Sequence, residues 1–186
     1  MTRRRTVGLV GLAAGARALY WMATLHYTPI SDAGSYHAIA SNLADGAGFS
    51  DYFPQLSVHE TGFRPPLFPV LLGALYRVFG TSVAVGRLAN LIVGIAVVLL
   101  VERVATRIAG TTAGLVAAIL AALYPPLVVN DVSLLTEPLS LLLLLLIVLA
   151  AADERWVVAG VETGLLVLTR HSAQALVPVI AVLLVG

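Results

Sequence analysis

The sequence has no cysteine and no lysine, and charged residues occupy only 11% of its 186 positions. Without cysteine there can be no disulfide, no thiolate metal site and no thiol nucleophile. All eleven basic residues are arginine, a bias that we attribute to codon usage and not to mechanism. The sequence also contains no Walker, GxGxxG, GxSxG or HExxH motif, so the enzyme classes that these motifs mark find no support here.

What remains is mostly apolar. Hydrophobic residues make up 59% of the chain and the mean hydropathy is +0.95. Soluble domains carry about 25% charged residues, so the composition indicates an integral membrane protein. We predict an all-α fold and a location in the cell membrane. The net charge of +1 gives no reason to expect a nucleic acid as partner.

The first apolar stretch, about 6–25, follows Arg3, Arg4 and Arg5. We interpret it as an uncleaved anchor helix and not a signal peptide, because Arg17 interrupts it and aromatic residues crowd its far end. The arginine triplet predicts a cytoplasmic N-terminus, which turns the next loop outward. Arg17 would be costly inside the bilayer unless it is paired within the bundle.

A polar segment from His26 to Arg64 then separates two apolar regions, and we predict an outer loop over 26–66. Apolar residues at helical spacing predict a surface helix over 32–45, with Ser31 as its N-cap. Asp32 would lie in the first turn of this helix, where free backbone amides favour an anion. Gly46, Gly48 and Pro54 predict loop beyond it.

The remaining chain alternates apolar stretches with short polar links. The stretch 67–79 would be about 20 Å long as a helix, too short to cross a core of about 30 Å, and is predicted to lie at the membrane surface. The predicted spans are 6–25, 82–108, 112–129, 137–152, 156–169 and 173–186.

This multi-pass arrangement obeys the positive-inside rule best if 67–79 does not cross. It then brings Asp32 and Glu137 to the same outer side, with Arg170. Two outward carboxylates can hold a divalent cation, Mg²⁺ or Mn²⁺, or one can act as a general base. In the simpler interpretation, Asp32 only caps a helix and Glu137 only complements a helix dipole.

Two arginines accompany these carboxylates. Arg64 precedes a proline pair, and Arg170 ends a span on the side where basic residues are disfavoured. Each is either a clamp for a phosphate group or a snorkelling interfacial side chain. His37 and the pair His59-Glu60 are further candidate metal ligands, although their spacing follows no metal motif.

The segments SDAGSYHAIASNLADGAGF and RPPLFPVLLGALYRVFG, followed by SLLTEPL and GLLVLTR, occur in an order that resembles the membrane glycosyltransferases of the GT-C fold. The resemblance is to the dolichyl-phosphate-mannose-protein mannosyltransferases and the aminoarabinose transferases of bacteria. It implies a multi-span helical bundle whose first outer loop contains juxtamembrane helices. It also implies transfer of a sugar from a polyprenyl-phosphate donor to a glycan, lipid or protein acceptor outside the cytoplasm.

By this resemblance Asp32 is the catalytic base or a metal partner, and Glu137 helps to hold a metal near the phosphate. Arg64 and Arg170 stand where relatives carry basic residues near the donor phosphate. Two departures are visible. Asp32 is followed by Ala33 and not by a second acidic residue, which argues against protein O-mannosylation. The chain also ends where such relatives continue, so we expect a fragment or a truncated product.

Two other functional classes compete with this hypothesis. The first is a non-catalytic multi-span protein, such as a transporter or an assembly subunit, although no internal repeat supports transport. The second is a phosphatase or synthase acting on polyprenyl phosphates, which would be expected to carry denser histidine, arginine or aspartate motifs.

Overall fold

The computed structural model describes residues 3–53, 56–60 and 62–178. Its helices are, in chain order, α1 (Arg3–Ala23), α2 (Ser31–Ala44), α3 (Leu67–Phe79), α4 (Val83–Leu123), α5 (Pro125–Asp131), α6 (Glu137–Ala152) and α7 (Trp156–Thr169), followed by a 3₁₀ turn at His171–Ala175. Strands β1 (Ser50–Phe53) and β2 (Leu56–Glu60) form an antiparallel hairpin between α2 and α3. The protein is therefore mostly helical, as its composition predicts.

Two helices of the described part, α1 and α4, are long and apolar enough to cross a membrane. Helices α3, α6 and α7 are apolar but shorter, with 13, 16 and 14 residues. The number of spans and their orientation stay predictions, and most of the predicted span 173–186 lies outside the described residues.

Helix α4 contains a sharp bend at Gly110, where φ is +86° and ψ is 174°. Beyond it the helix folds back on its first arm: a Cβ added to Gly114 would overlap Thr106, and Val98 packs against Ala118. A positive φ of this size is strained for any residue with a side chain, so the bend depends on glycine. The sequence predicts two helices over this region, and the structure joins them through this one residue.

Helix α1 packs against both arms of α4 through small and apolar side chains, Leu9 and Ala13 on α1 against Val98 and Ala122 on α4. At the other end of the bundle, α2 packs on α3 around Tyr36, Phe68 and Tyr76. The rings of Tyr36 and Phe68 meet edge to face at 5.2 Å. This second cluster fixes α2, and with it Asp32, to the rest of the molecule.

Two local predictions need correction. Ser31 does not cap α2: it is the first helical residue, with φ +52°, and the N-cap is Ile30 without a side-chain hydrogen bond. The predicted loop after Gly48 contains β1, whose four residues give little strand signal.

The largest correction concerns Asp131, which falls in the polar link between the predicted spans 112–129 and 137–152. It ends α5 and is 2% exposed, and its Oδ2 accepts hydrogen bonds from Nε of Arg17 at 2.8 Å and from Arg17 Nη2. Arg17 is fully buried and also donates to the carbonyl of Ala13 at 3.1 Å. The expected partner of Arg17 within the bundle is thus Asp131.

Gly94 makes room for this ion pair, since a Cβ added there would overlap the Asp131 carboxylate. We expect Gly94→Ala to lower the free energy of unfolding by about 1–3 kcal/mol, because Arg17 holds that carboxylate in place and the buried site cannot relax. Thermal unfolding in detergent measures the effect. Gly160→Ala in α7 is the matched control, since no heavy atom of the described residues lies within 4 Å of its added Cβ. Equal unfolding temperatures for the two variants would contradict the prediction.

Candidate functional site

A cleft of about 290 Å³ opens where α2, the segment before α3, α6 and the end of α7 meet. The four residues that the sequence singles out for the site, Asp32, Arg64, Glu137 and Arg170, all line this cleft. They come from four separate parts of the chain, and the packing of α2 on α3 and of α6 on α7 brings them together. The structure thus brings these four residues together in one cleft, and the roles assigned to them remain predictions.

The first pair joins Asp32 and Arg64. Asp32 lies in the first turn of α2, and its Oδ1 accepts a hydrogen bond from Arg64 Nη2 at 2.7 Å. The Asp32 side chain is 55% exposed to the cleft, whereas that of Arg64 is only 17% exposed. The Asp32 carboxylate is therefore accessible to a substrate in the cleft, while Arg64 beside it is held in place.

Arg64 is held by more than this carboxylate. Its Nε donates to Ser35 Oγ at 3.3 Å, and its guanidinium lies 5.2 Å from the centre of the Tyr36 ring. Ser35 in turn donates to the buried Asp51 in β1. Burial lowers the pKa of Arg64, but the hydrogen bonds and charges of Asp32 and Tyr36 together raise it above its ordinary value, so the guanidinium stays charged. The β1–β2 hairpin, which the sequence analysis did not predict, therefore helps to hold the Arg64 guanidinium in place.

The second pair joins Glu137 and Arg170. Arg170 Nη1 donates to Glu137 Oε1 at 3.1 Å, and the two side chains are 48% and 35% exposed. Glu137 begins α6 and Arg170 ends α7 in an extended conformation, so the pair closes the opening between these two helices. Each pair thus presents one cation and one anion to the same cleft.

Buried side chains of α4 hold the segment 132–135 that leads to Glu137. Asn90 donates to the carbonyls of Ser133 and Leu135 at 2.6 and 3.0 Å, and Arg87 Nε donates to the carbonyl of Val132 at 2.7 Å. Asn90 and Arg87 are each 3% exposed. Sequence reasoning missed both residues; polar side chains on an otherwise apolar helix are the signal that could have found them.

Of the candidate metal ligands with a described side chain, His37 does not line the cleft. Nδ1 of His37 and the hydroxyl of Tyr76 are 2.8 Å apart on the inner face of α2, and burial lowers the pKa of His37. His59 and Glu60 belong to β2, where they pair with Asp51 and Ser50. His171, which the sequence did not single out, lines the cleft beside Arg170.

The carboxylates of the cleft bear on the divalent cation that the resemblance implies. Within the described residues no group of three or more histidine, aspartate or glutamate side chains is placed to hold a metal. Asp32 and Glu137 each face an arginine. Mg²⁺ commonly binds through one or two carboxylates together with substrate phosphates. The donor set therefore fits an ion that arrives with a phosphate better than a resident one.

A mostly apolar cavity of about 410 Å³ lies close to the cleft, between α3, α4 and α6. Phe68 lines this cavity three residues after Pro65, and Leu139 lines it two residues after Glu137; Pro65 and Glu137 themselves line the cleft. A ligand with a charged head and an apolar tail could therefore place its head in the cleft and its tail in the cavity.

Comparison with known families adds an independent observation. Residues 63–186 match the model of the family described as dolichyl-phosphate-mannose-protein mannosyltransferase, which is two thirds of the chain. The chain belongs to this family. No curated protein and no solved structure matches it. Membership in the mannosyltransferase family indicates a glycosyltransferase in a membrane, with a lipid-linked sugar as donor.

The match covers three of the four site residues selected from the sequence, Arg64, Glu137 and Arg170. Asp32 lies outside it, in the preceding segment. The structure nevertheless joins Asp32 to the matched part through Arg64. The residues that the family match covers and the residues that meet in the cleft therefore overlap.

Proposed function

We propose that this mannosyltransferase-family protein transfers a sugar from a polyprenyl-phosphate carrier to an acceptor hydroxyl on the extracytoplasmic side of the cell membrane, with inversion at the anomeric carbon. The observation that carries the proposal is the meeting of two arginine–carboxylate pairs in one cleft. The apolar cavity beside the cleft supports a lipid-linked donor, since it offers space for the first part of a polyprenyl chain.

The arginines bind the phosphate of the donor. A guanidinium presents paired donors that match phosphate oxygens, and it stabilises the charge that develops as the bond from the phosphate oxygen to the sugar breaks. Arg64 is already oriented by Ser35 and the Tyr36 ring, so little reorganisation is needed on binding. A Mg²⁺ or Mn²⁺ ion held by Asp32 or Glu137, if it enters with the donor, would supply further positive charge.

Asp32 accepts the proton of the acceptor hydroxyl, whose oxygen attacks the anomeric carbon as the phosphate leaves. In the ligand-free structure this carboxylate is paired with Arg64. When the donor phosphate binds to the Arg64 guanidinium in place, Asp32 shares that cation with the phosphate and is available to the acceptor hydroxyl. Donor binding therefore prepares the base, which favours attack by the acceptor only after the donor is in place.

The acceptor is a glycan, a lipid or a protein, and the single acidic residue at Asp32 favours one other than a protein. If the protein is instead a non-catalytic transporter or assembly subunit, the two arginine–carboxylate pairs are only surface contacts. Exposed ion pairs contribute only about 0–1 kcal/mol each to the stability of a protein. Stability therefore does not explain why two such pairs line one cleft.

The test is a transfer assay in membranes that carry this chain, with radiolabelled mannose or aminoarabinose supplied on polyprenyl phosphate. Label from the lipid donor should enter an acceptor fraction, whereas the same sugar supplied on a nucleotide, in membranes unable to charge the lipid, should not. No transfer from either lipid donor by the folded protein would favour the non-catalytic alternative.

We expect Arg170→Gln to raise the KM for the lipid donor roughly ten- to hundredfold, because hydrogen bonds to charged groups contribute about 1.5–3 kcal/mol. Initial rates over a range of donor concentrations measure this change. Arg155→Gln is the matched control, since Arg155 is an exposed arginine at the start of α7, at the opposite end of that helix. A donor KM that stays at the wild-type value in Arg170→Gln would remove Arg170 from the phosphate site.

A further inference from the structure

A second cavity, of about 640 Å³, lies at the end of the bundle away from the cleft. Residues of α1 and of both arms of α4 line it, including Arg5 near the start of α1. Helix α1 has 21 residues and so spans roughly 31 Å. The cavity is therefore about one bilayer thickness from the end of α1 that leads to Asp32.

Charged and apolar groups are separated within this cavity. Arg5, Glu102 and Arg103 form its polar part, while Leu99 and Leu100 on the preceding turn of α4 belong to its apolar wall. Such a wall suits an acyl chain, and a polar rim beside it suits a lipid headgroup. The cavity is thus shaped for an amphipathic molecule.

The charges of the rim favour an anion. Glu102 is 4% exposed, and its carboxylate is already engaged by Arg5 Nη2 at 2.9 Å and by the Thr106 hydroxyl at 3.2 Å. With Glu102 neutralised by Arg5, the positive charge of Arg103 is left over. Arg103 is exposed and makes no hydrogen bond or ion pair with any other residue that the structure describes.

A donor group also remains available. The Nε of Arg5 is buried and has no hydrogen-bond partner among the described residues, although Nη2 of the same side chain donates to the carbonyl of Thr111 at 2.6 Å. A buried guanidinium N–H without a partner costs free energy, and an acceptor oxygen in the cavity would remove that cost. Arginines of this kind bind phosphate through paired N–H groups.

We propose that this cavity binds one anionic phospholipid, with its phosphate between Arg5 and Arg103 and an acyl chain against Leu99 and Leu100. Basic pockets between membrane helices bind anionic headgroups in this way. The lipid bridges α1 and the two arms of α4, and so stabilises the bundle at the end remote from the cleft. It is neither donor nor acceptor of the proposed sugar transfer, so this proposal does not depend on that function.

Native mass spectrometry of the purified protein tests the proposal, with phosphatidylglycerol, phosphatidylcholine or inorganic phosphate added after delipidation. Phosphatidylglycerol should give a one-to-one complex and raise the unfolding temperature by several degrees. We expect Arg103→Gln to weaken this binding about tenfold, as loss of one charged hydrogen-bonding group does. Its lipid-free unfolding temperature should stay at the wild-type value, because Arg103 has no partner to lose within the described structure.

The control is Arg155→Gln, which removes an exposed arginine that does not line this cavity. It should bind phosphatidylglycerol as the wild type does. Three results would overturn the proposal: equal loss of binding in both variants, equal binding of phosphatidylcholine, or the same stabilisation by inorganic phosphate alone. The first would indicate general attraction between charges, the second an unselective apolar groove, and the third an anion site that needs no lipid.

Discussion

Asp32→Asn is expected to lower the rate of sugar transfer by roughly two to four orders of magnitude, the range that general base catalysis contributes. Asparagine keeps the size of the side chain and can still accept a hydrogen bond from Arg64, so α2 and the cleft should keep their shape. What it cannot do is take a proton from the acceptor hydroxyl. The loss should therefore appear in kcat, with the donor KM changed far less. Steady-state rates in membranes or detergent measure both.

Asp45→Asn is the matched control for this experiment, because Asp45 is an exposed aspartate at the other end of the same helix. It should transfer sugar at the wild-type rate. If Asp32→Asn did the same, Asp32 would be only a helix-terminal carboxylate that holds Arg64, and the base would have to be sought elsewhere in the cleft. Equal losses in the two variants would point to α2 as a whole and not to proton transfer.

The second large effect concerns stability. Asp131→Leu is expected to lower the free energy of unfolding by about 3–5 kcal/mol, since it leaves the fully buried guanidinium of Arg17 without its counter-ion. The cost should show as a marked fall in the unfolding temperature in detergent. Removing both charges, as Arg17→Met with Asp131→Leu, should recover most of the loss, because two apolar side chains leave no unpaired charge.

An exposed ion pair provides the comparison. Arg107 and Asp153 meet at 2.5 Å with side chains 46% and 42% exposed, so Asp153→Asn should change stability by no more than about 1 kcal/mol. A single Asp131→Leu variant as stable as Asp153→Asn would show that Arg17 finds water or another partner. A double variant no better than the single one would show that the pair is needed for packing beyond its charge.

The sequence was informative about the site because charge is rare in this chain. In a composition with 11% charged residues, an acidic or basic side chain at the end of an apolar stretch stands out. Asp32, Arg64, Glu137 and Arg170 could therefore be selected before any geometry was known. Their meeting in one cleft could be anticipated only as far as the positive-inside rule placed them on the same side of a membrane.

What the sequence could not supply is the support behind these residues. Ser35 and Asp51 lie 16 positions apart, and their hydrogen bond depends on a hairpin that four- and five-residue strands scarcely signal. Asp131 was misplaced for a similar reason. Its neighbours Asn130 and Ser133 are polar, so the stretch resembles a solvated link, yet Arg17, over a hundred residues earlier, makes its burial tolerable.

The helices themselves were easier to locate than their ends. The range 67–79 was predicted from apolar length alone, and α3 occupies Leu67–Phe79. Ends depend on single residues: Ser31 is a favourable N-cap by type, but the chain enters α2 one residue earlier, through Ile30. Residue preferences describe averages, whereas the packing of α2 on α3 decides where this particular helix can begin.

The bend at Gly110 bears on how the protein is made. Because one residue joins the two arms of α4, the arms stay close to each other and their apolar side chains pack together as a helical hairpin. We predict that the two arms enter the membrane together, as one unit. Insertion of this part of the bundle is then expected to be one event in place of two, with Gly110 as the residue on which it depends.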